Sequence, residues 1–137
     1  MNAIDKLLKA DIDKLTEKPT AKIEIKRLSK VCGEPFIMTV TALDGRLLAE
    51  LAEDNTDIKG GKVKHADNYN MALDLIVNGT VDPDFKNADL MRKFGAHTPN
   101  DVVAKLFLPA EMGMVAEKIT DLCGVENQSD VDELIKN

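Results

Sequence analysis

Tryptophan is absent from this 137-residue sequence, and one Tyr and four Phe hold the aromatic fraction to 4%. No array of stacking rings for bases or sugars can be built from so few, and the core has to be aliphatic and filled with methionine. Basic charge is also short, with 18 Lys and Arg against 24 Asp and Glu for a net of -6, which argues against a nucleic-acid partner. Only two cysteines occur, Cys32 and Cys123, and neither has a Cys or His at metal-ligand spacing. Both are expected to be small buried hydrophobes. No secretory h-region and no apolar run near the ~20 residues of a membrane span is found, so the reading is a soluble, cytosolic chain without a membrane partner.

Catalytic patterns are missing as well. Ser29 and Ser129, the sole serines, do not sit in a Gly-flanked elbow, and His65 and His97 stand alone in predicted loops. Two acidic stretches fail as calcium loops: Ile58 falls at the fifth position counted from Asp54, and Lys86 at the fifth from Asp82. Gly60-Gly61-Lys62 lacks the upstream Gly and the hydroxyl residue of a phosphate loop. No catalytic, cofactor-binding or metal-ligating residue is assigned, and by elimination the chain reads as a binding or assembly module.

What is present is helical periodicity, strongest from Leu106 to Gly124. Met112, Val115, Ala116, Ile119, Leu122 and Cys123 recur at steps of three and four and make one stripe. Pro109 suits a first helical position, Glu111 lies in the first turn, and Gly124 suits a left-handed stop. Burying Met112, Val115, Ile119 and Leu122 would contribute on the order of 6–12 kcal/mol before conformational entropy, so the stripe is first a core element.

Elsewhere, residues 2–15 place Ile4, Leu7, Leu8, Ile12 and Leu15 at helical spacing, as one short amphipathic helix or as part of an arm over 1–20 that orders on a partner. Ile23, Ile25 and Leu28 alternate with polar residues as in a strand, and Phe36 to Ala42 supplies a second strand for an antiparallel hairpin. Lys22, Lys26, Arg27 and Lys30 would give it a basic outer face, against which the acidic remainder of a second copy could associate head to tail in low salt. Asp44 is a candidate cap for a helix carrying Leu47, Leu48 and Leu51, followed by a polar loop over 53–61. Further helices are expected over 67–78 with Gly79 as stop, after Asn87 with Gly95 as stop, and after Thr98 with Pro99 in the first turn. Ser129 begins a short tail helix carrying Val131, Leu134 and Ile135, within a tail over 125–137 expected to be mobile. Met38, Met71 and Met91 read as core fillers, whereas Met114 lies off the main stripe and is expected to be exposed. The sum is a single α+β domain over 1–137: a small N-terminal antiparallel β-hairpin or sheet packed with a mainly helical C-terminal half.

The stretch IVNGTVDPDFKNADLMRKFGAHTPNDVVAKLFLPAEMGMVAEKITDLCG, together with LLKADIDKL and IEIKRLSKVCGEPFIMTVTAL, resembles the XkdN-like tail assembly chaperones of prophages with contractile tails in Gram-positive hosts. The ordered series Ile25-Lys26-Arg27-Leu28, Val81-Asp82-Pro83, Phe94-Gly95, Pro99 and Leu108-Pro109-Ala110-Glu111 carries the likeness, with Ala110 where the family usually has Gly. The resemblance implies a non-enzymatic protein of the host cytoplasm, absent from the mature virion. It would coat the tape measure protein during tail assembly and be displaced as the major tail tube protein polymerises. A structural virion component, such as a tail completion or tube-end protein, is the alternative. Self-association is expected, with several copies presenting adaptable apolar side chains to a partner helix. Leu108, Pro109, Glu111, Met114, Leu134 and Ile135 are the candidate partner-binding residues.

Overall fold

Alternation in the first strand stops sooner than the sequence suggests. In the computed structural model, which describes residues 2–59 and 62–124, β1 runs over Thr20–Glu24, and the chain then turns into α3 (Lys26–Cys32). Ile25 and Leu28, read as strand residues, are both buried, and at a spacing of three they share a face in a helix as readily as alternate residues do in a strand. Gly33 ends α3 in the left-handed region at φ 77°. Ahead of β1, the single helix expected over 2–15 is two: α1 (Ala3–Lys9) and α2 (Ile12–Leu15). Ala10 is extended, and Asp11 opens α2 by accepting the N–H of Asp13, so a side-chain cap competes successfully with helix continuation.

The remaining elements are β2 (Ile37–Thr41), α4 (Gly45–Asp54), β3 (Thr56–Lys59), β4 (Lys62–Ala66), α5 (Asn68–Gly79), β5 (Thr80–Asp82), α6 (Ala88–Phe94), α7 (Pro99–Leu106) and α8 (Pro109–Leu122). The strands β1, β2 and β5 form an antiparallel sheet in the order β1-β2-β5, with Ile23 opposite Met38 and Ala21 opposite Val40. The antiparallel pair expected from the sequence is therefore present, and the chain is α+β.

One expected loop is a hairpin. Of residues 53–61, the described ones up to Lys59 close α4 and form β3, which pairs antiparallel with β4 so that Thr56 is opposite Ala66 and Ile58 opposite Val63 in the register. Polar composition hid it, because a two-strand ribbon needs turn residues and backbone pairing more than an apolar face, and Gly60-Gly61 supplies the turn signal in the sequence. His65, expected in a loop, lies in β4. Asp44 precedes α4 but makes no side-chain capping hydrogen bond. The tail from Ser129, with Leu134 and Ile135, lies outside the described residues.

The core is where α5 crosses α8 and α7 and where α8 meets β1 and β2. Met112, Val115, Ala116 and Ile119 face it from α8, Leu73, Ile76 and Val77 from α5, and Met38 and Val40 from β2. Two of the scarce aromatics sit inside this assembly: Phe85 and Phe107 pack edge to face with centroids 5.9 Å apart. Met38 is fully buried, while Met71 and Met91 pack against the core as fillers. A polar clasp joins three helices: buried Asn55 at the end of α4 donates to the Leu51 carbonyl and to Asp74 Oδ2 of α5, and Asn100 of α7 donates to Asp74 Oδ1 at 2.7 Å. The cysteines divide. Cys123 is half-buried, with its Sγ accepting the Leu43 N–H at 3.2 Å, but Cys32 is exposed at the end of α3, so it is not the buried hydrophobe expected.

Gly79 differs from the left-handed stop expected of it, for its φ is not positive. A Cβ built there would lie 2.7 Å from Ile119 Cδ1 and 2.8 Å from Ile119 Cγ2. Because Ile119 is fully buried and β-branched, it has no free rotamer to withdraw into, so Gly79 sets how near α5 can come to α8. Gly79→Ala gains about 1 kcal/mol of helix propensity but meets an overpacking cost of about 1–3 kcal/mol, and a net loss of stability is expected. Ile119→Ala alone is expected to cost about 2–5 kcal/mol. In urea melts the double variant should cost less than the sum of the singles, because the second change removes the overlap made by the first; strict additivity would contradict the contact.

Candidate functional site at the junction of α7 and α8

Two residues, Phe107 and Leu108, connect α7 to α8, and both helix ends meeting there leave backbone groups without intrahelical partners. Leu108, at the cap of α8, has no side-chain acceptor to offer. Glu111, three residues on, reaches back so that its Oε1 accepts the Leu108 N–H at 2.8 Å, which is the reciprocal half of a capping box. Its charge also lies at the positive end of the α8 dipole.

The second anchor comes from far away in sequence. Arg27 of α3 donates from Nε to Glu111 Oε2 at 2.9 Å and from Nη2 to Glu111 Oε1 at 2.8 Å, a bidentate pair 84 residues apart. The same Nη2 donates to the Leu106 carbonyl at 2.7 Å, satisfying one of the orphan acceptors at the end of α7. One guanidinium thus fastens α3, the last turn of α7 and the first turn of α8 together. Arg27 is therefore not a free member of the basic outer face expected from the sequence.

Around this clasp the other candidate residues are arranged outward. Leu108 is 52% exposed, Met114 is 45% exposed, and Pro109 is exposed between the junction and the first turn of α8. Glu111 is half-buried, with both carboxylate oxygens engaged inside the chain. Leu134 and Ile135 lie outside the described residues. Sequence reasoning missed Arg27, and no local pattern could have paired it with Glu111. The aliphatic residues of α1 and α2, expected either in one amphipathic helix or in an arm that orders on a partner, are all exposed.

Among the described residues no group of three or more His, Cys, Asp or Glu side chains could hold a metal ion, and no helix is long and apolar enough to cross a membrane. An open depression of about 480 Å³ lies beside Asp82, Asp84, Asp89 and Lys93. Its acids lie at the end of β5, on the β5–α6 connection and in the first turn of α6, where Asp84 accepts the Lys86 N–H and Asp89 pairs with Arg92.

The Arg27 hydrogen bond, with help from the Leu108 N–H, holds the Glu111 carboxyl below its ordinary value of 4.5 against the opposing effect of burial. A carboxylate depressed in the folded state contributes stability that is present above the unfolded pKa and lost as pH falls through the folded one. Glu111→Gln is expected to lower the Tm by a few degrees at pH 7, and the gap to the parent should shrink steadily below about pH 4. A gap that is independent of pH would show that the charge of Glu111 contributes nothing.

With the geometry in place, comparison with known proteins identifies the chain. None of the curated proteins matches it. The crystal structure of the protein YqbN is similar, with 19% identity and a TM-score of 0.60 over 84% of this chain and 97% of the other, a likeness of fold. The family described as phage XkdN-like tail assembly chaperone protein matches residues 4–136, nearly the whole length. This chain belongs to the XkdN-like family of phage tail assembly chaperones.

Proposed function

We propose that this protein binds the tape measure protein during tail morphogenesis and keeps it soluble in the host cytoplasm, without catalysis and without entering the finished particle. Membership of the chaperone family over residues 4–136 is the observation that carries the reading. The long, largely helical and apolar tape measure chain expected of such a system needs apolar side chains to cover it before the tube forms around it. Leu108 and Met114 are suited to cover it, because both are exposed, one is a flexible thioether, and both stand on a helix start that Arg27 and Glu111 hold rigid. In this reading Pro109 and Glu111 position the surface, and release follows when the major tail tube protein competes for the tape measure.

Co-expression with the tape measure protein of the same tail gene cluster tests the proposal. A soluble complex on size exclusion is expected, and Leu108→Asp with Met114→Asp should cut its recovery about tenfold or more while leaving the Tm nearly unchanged, since exposed positions contribute little to folding. Tape measure protein found only in the insoluble fraction, with no complex, would overturn the reading.

A further inference from the structure

The helices α1 and α2 present Ile4, Leu7, Leu8, Ile12 and Leu15 to solvent, with Leu8 78% exposed, and neither helix has a buried residue. Neither packs more than marginally on the rest of the described chain. Yet the segment is well formed locally: Asn2 and Asp5 make a complete capping box, and Asp11 caps the second helix. Helices of seven and four residues are marginal by themselves in water, so an amphipathic pair of this kind calls for a surface that covers its aliphatic side.

Charge points to what that surface is. Asp5, Asp11 and Asp13 balance Lys6, Lys9 and Lys14, so residues 2–15 are neutral and the formal -6 of the chain lies elsewhere. Two copies brought together through this segment therefore add no net like charge at the contact itself. Within it the signs are also split: the half containing Asp5, Lys6 and Lys9 is net positive, and the half containing Asp11, Asp13 and Lys14 is net negative. Antiparallel juxtaposition of two such segments sets each positive half beside a negative one and brings like aliphatic faces together, as a two-fold interface requires.

We propose that residues 2–15 are a dimerisation arm whose occupant is the same arm of a second copy of this chain. Five aliphatic side chains offer roughly 100 Å² each, so the two arms together bury on the order of 1,000 Å², at the lower limit of a specific interface. The dimer is accordingly weak and concentration-dependent. It is held by apolar contact and not by the head-to-tail attraction of acidic and basic faces, and it needs no tape measure protein.

Sedimentation velocity of the full chain from about 5 to 500 μM, a range suited to a small interface, tests this at low and at 0.5 M salt. A monomer–dimer equilibrium is expected that persists in added salt, because the apolar contact that holds it is not screened. Leu7→Ser with Leu8→Ser should weaken the dimer at least tenfold without altering the Tm, since both residues are exposed, and Lys9→Asp should weaken it while Asp13→Lys in the same chain, which leaves the Asp11 cap in place, restores it. A parent chain that is monomeric throughout, or a Leu7/Leu8 variant that dimerises as the parent does, overturns the proposal. So does a parent that dimerises only in low salt, or whose arm binds the tape measure protein or anionic vesicles while the free chain stays monomeric. A monomeric parent that still solubilises the tape measure protein would refute the arm alone and leave the chaperone reading standing.

Discussion

The fold depends on how near α5 can lie to α8. Gly79 has no Cβ, and Ile119 occupies the space that one would fill. That approach lets the stripe on α8 reach both α5 and the sheet, so that Val115 and Ile119 are fully buried among side chains from two layers. With so few aromatic residues, close backbone approach and aliphatic interdigitation have to supply the packing density that large rings would otherwise provide.

Electrostatics adds direction to this apolar core. Arg27 and Glu111 are partly accessible, so their pairing is chiefly a positional device: it fixes where α7 ends, where α8 begins and how α3 lies across both. The Asp74 clasp acts similarly elsewhere on α5, where Asn55 and Asn100 each satisfy one carboxylate oxygen. The Arg27–Glu111 pair leaves apolar surface exposed beside it. Leu108 and Met114 remain outside the core although the helix that carries them is tightly held.

Local signals were the legible part of the sequence. Asn87 and Thr98 cap α6 and α7 through the N–H groups of Leu90 and Asp101, and Gly95 and Gly124 adopt left-handed conformations at helix ends. The stripe of α8 and the exposure of Met114 follow from spacing alone. What stayed hidden was whatever depends on a second segment. The Arg27–Glu111 pair spans 84 residues, the glycine at 79 answers to a side chain forty positions away, and β3 and β4 are specified by pairing that a polar composition disguises. Leu28 misled because a spacing of three from Ile25 serves a helix where a strand was expected. Of the candidate partner residues, Leu108, Pro109 and Met114 stand outward, while Glu111 is engaged in holding the helix that presents them.

The protein thus divides into a self-sufficient body and apolar surface left over from it, on α1, α2 and the start of α8. Native-state amide hydrogen exchange on the chain at high dilution measures that division directly, because it reports the opening free energy of each segment. Amides of β2, α5 and α8 should exchange only through global unfolding, and those of residues 3–15 should be nearly unprotected. Protection of the Leu7 and Leu8 amides equal to that of Ile119 in the dilute chain would contradict the account.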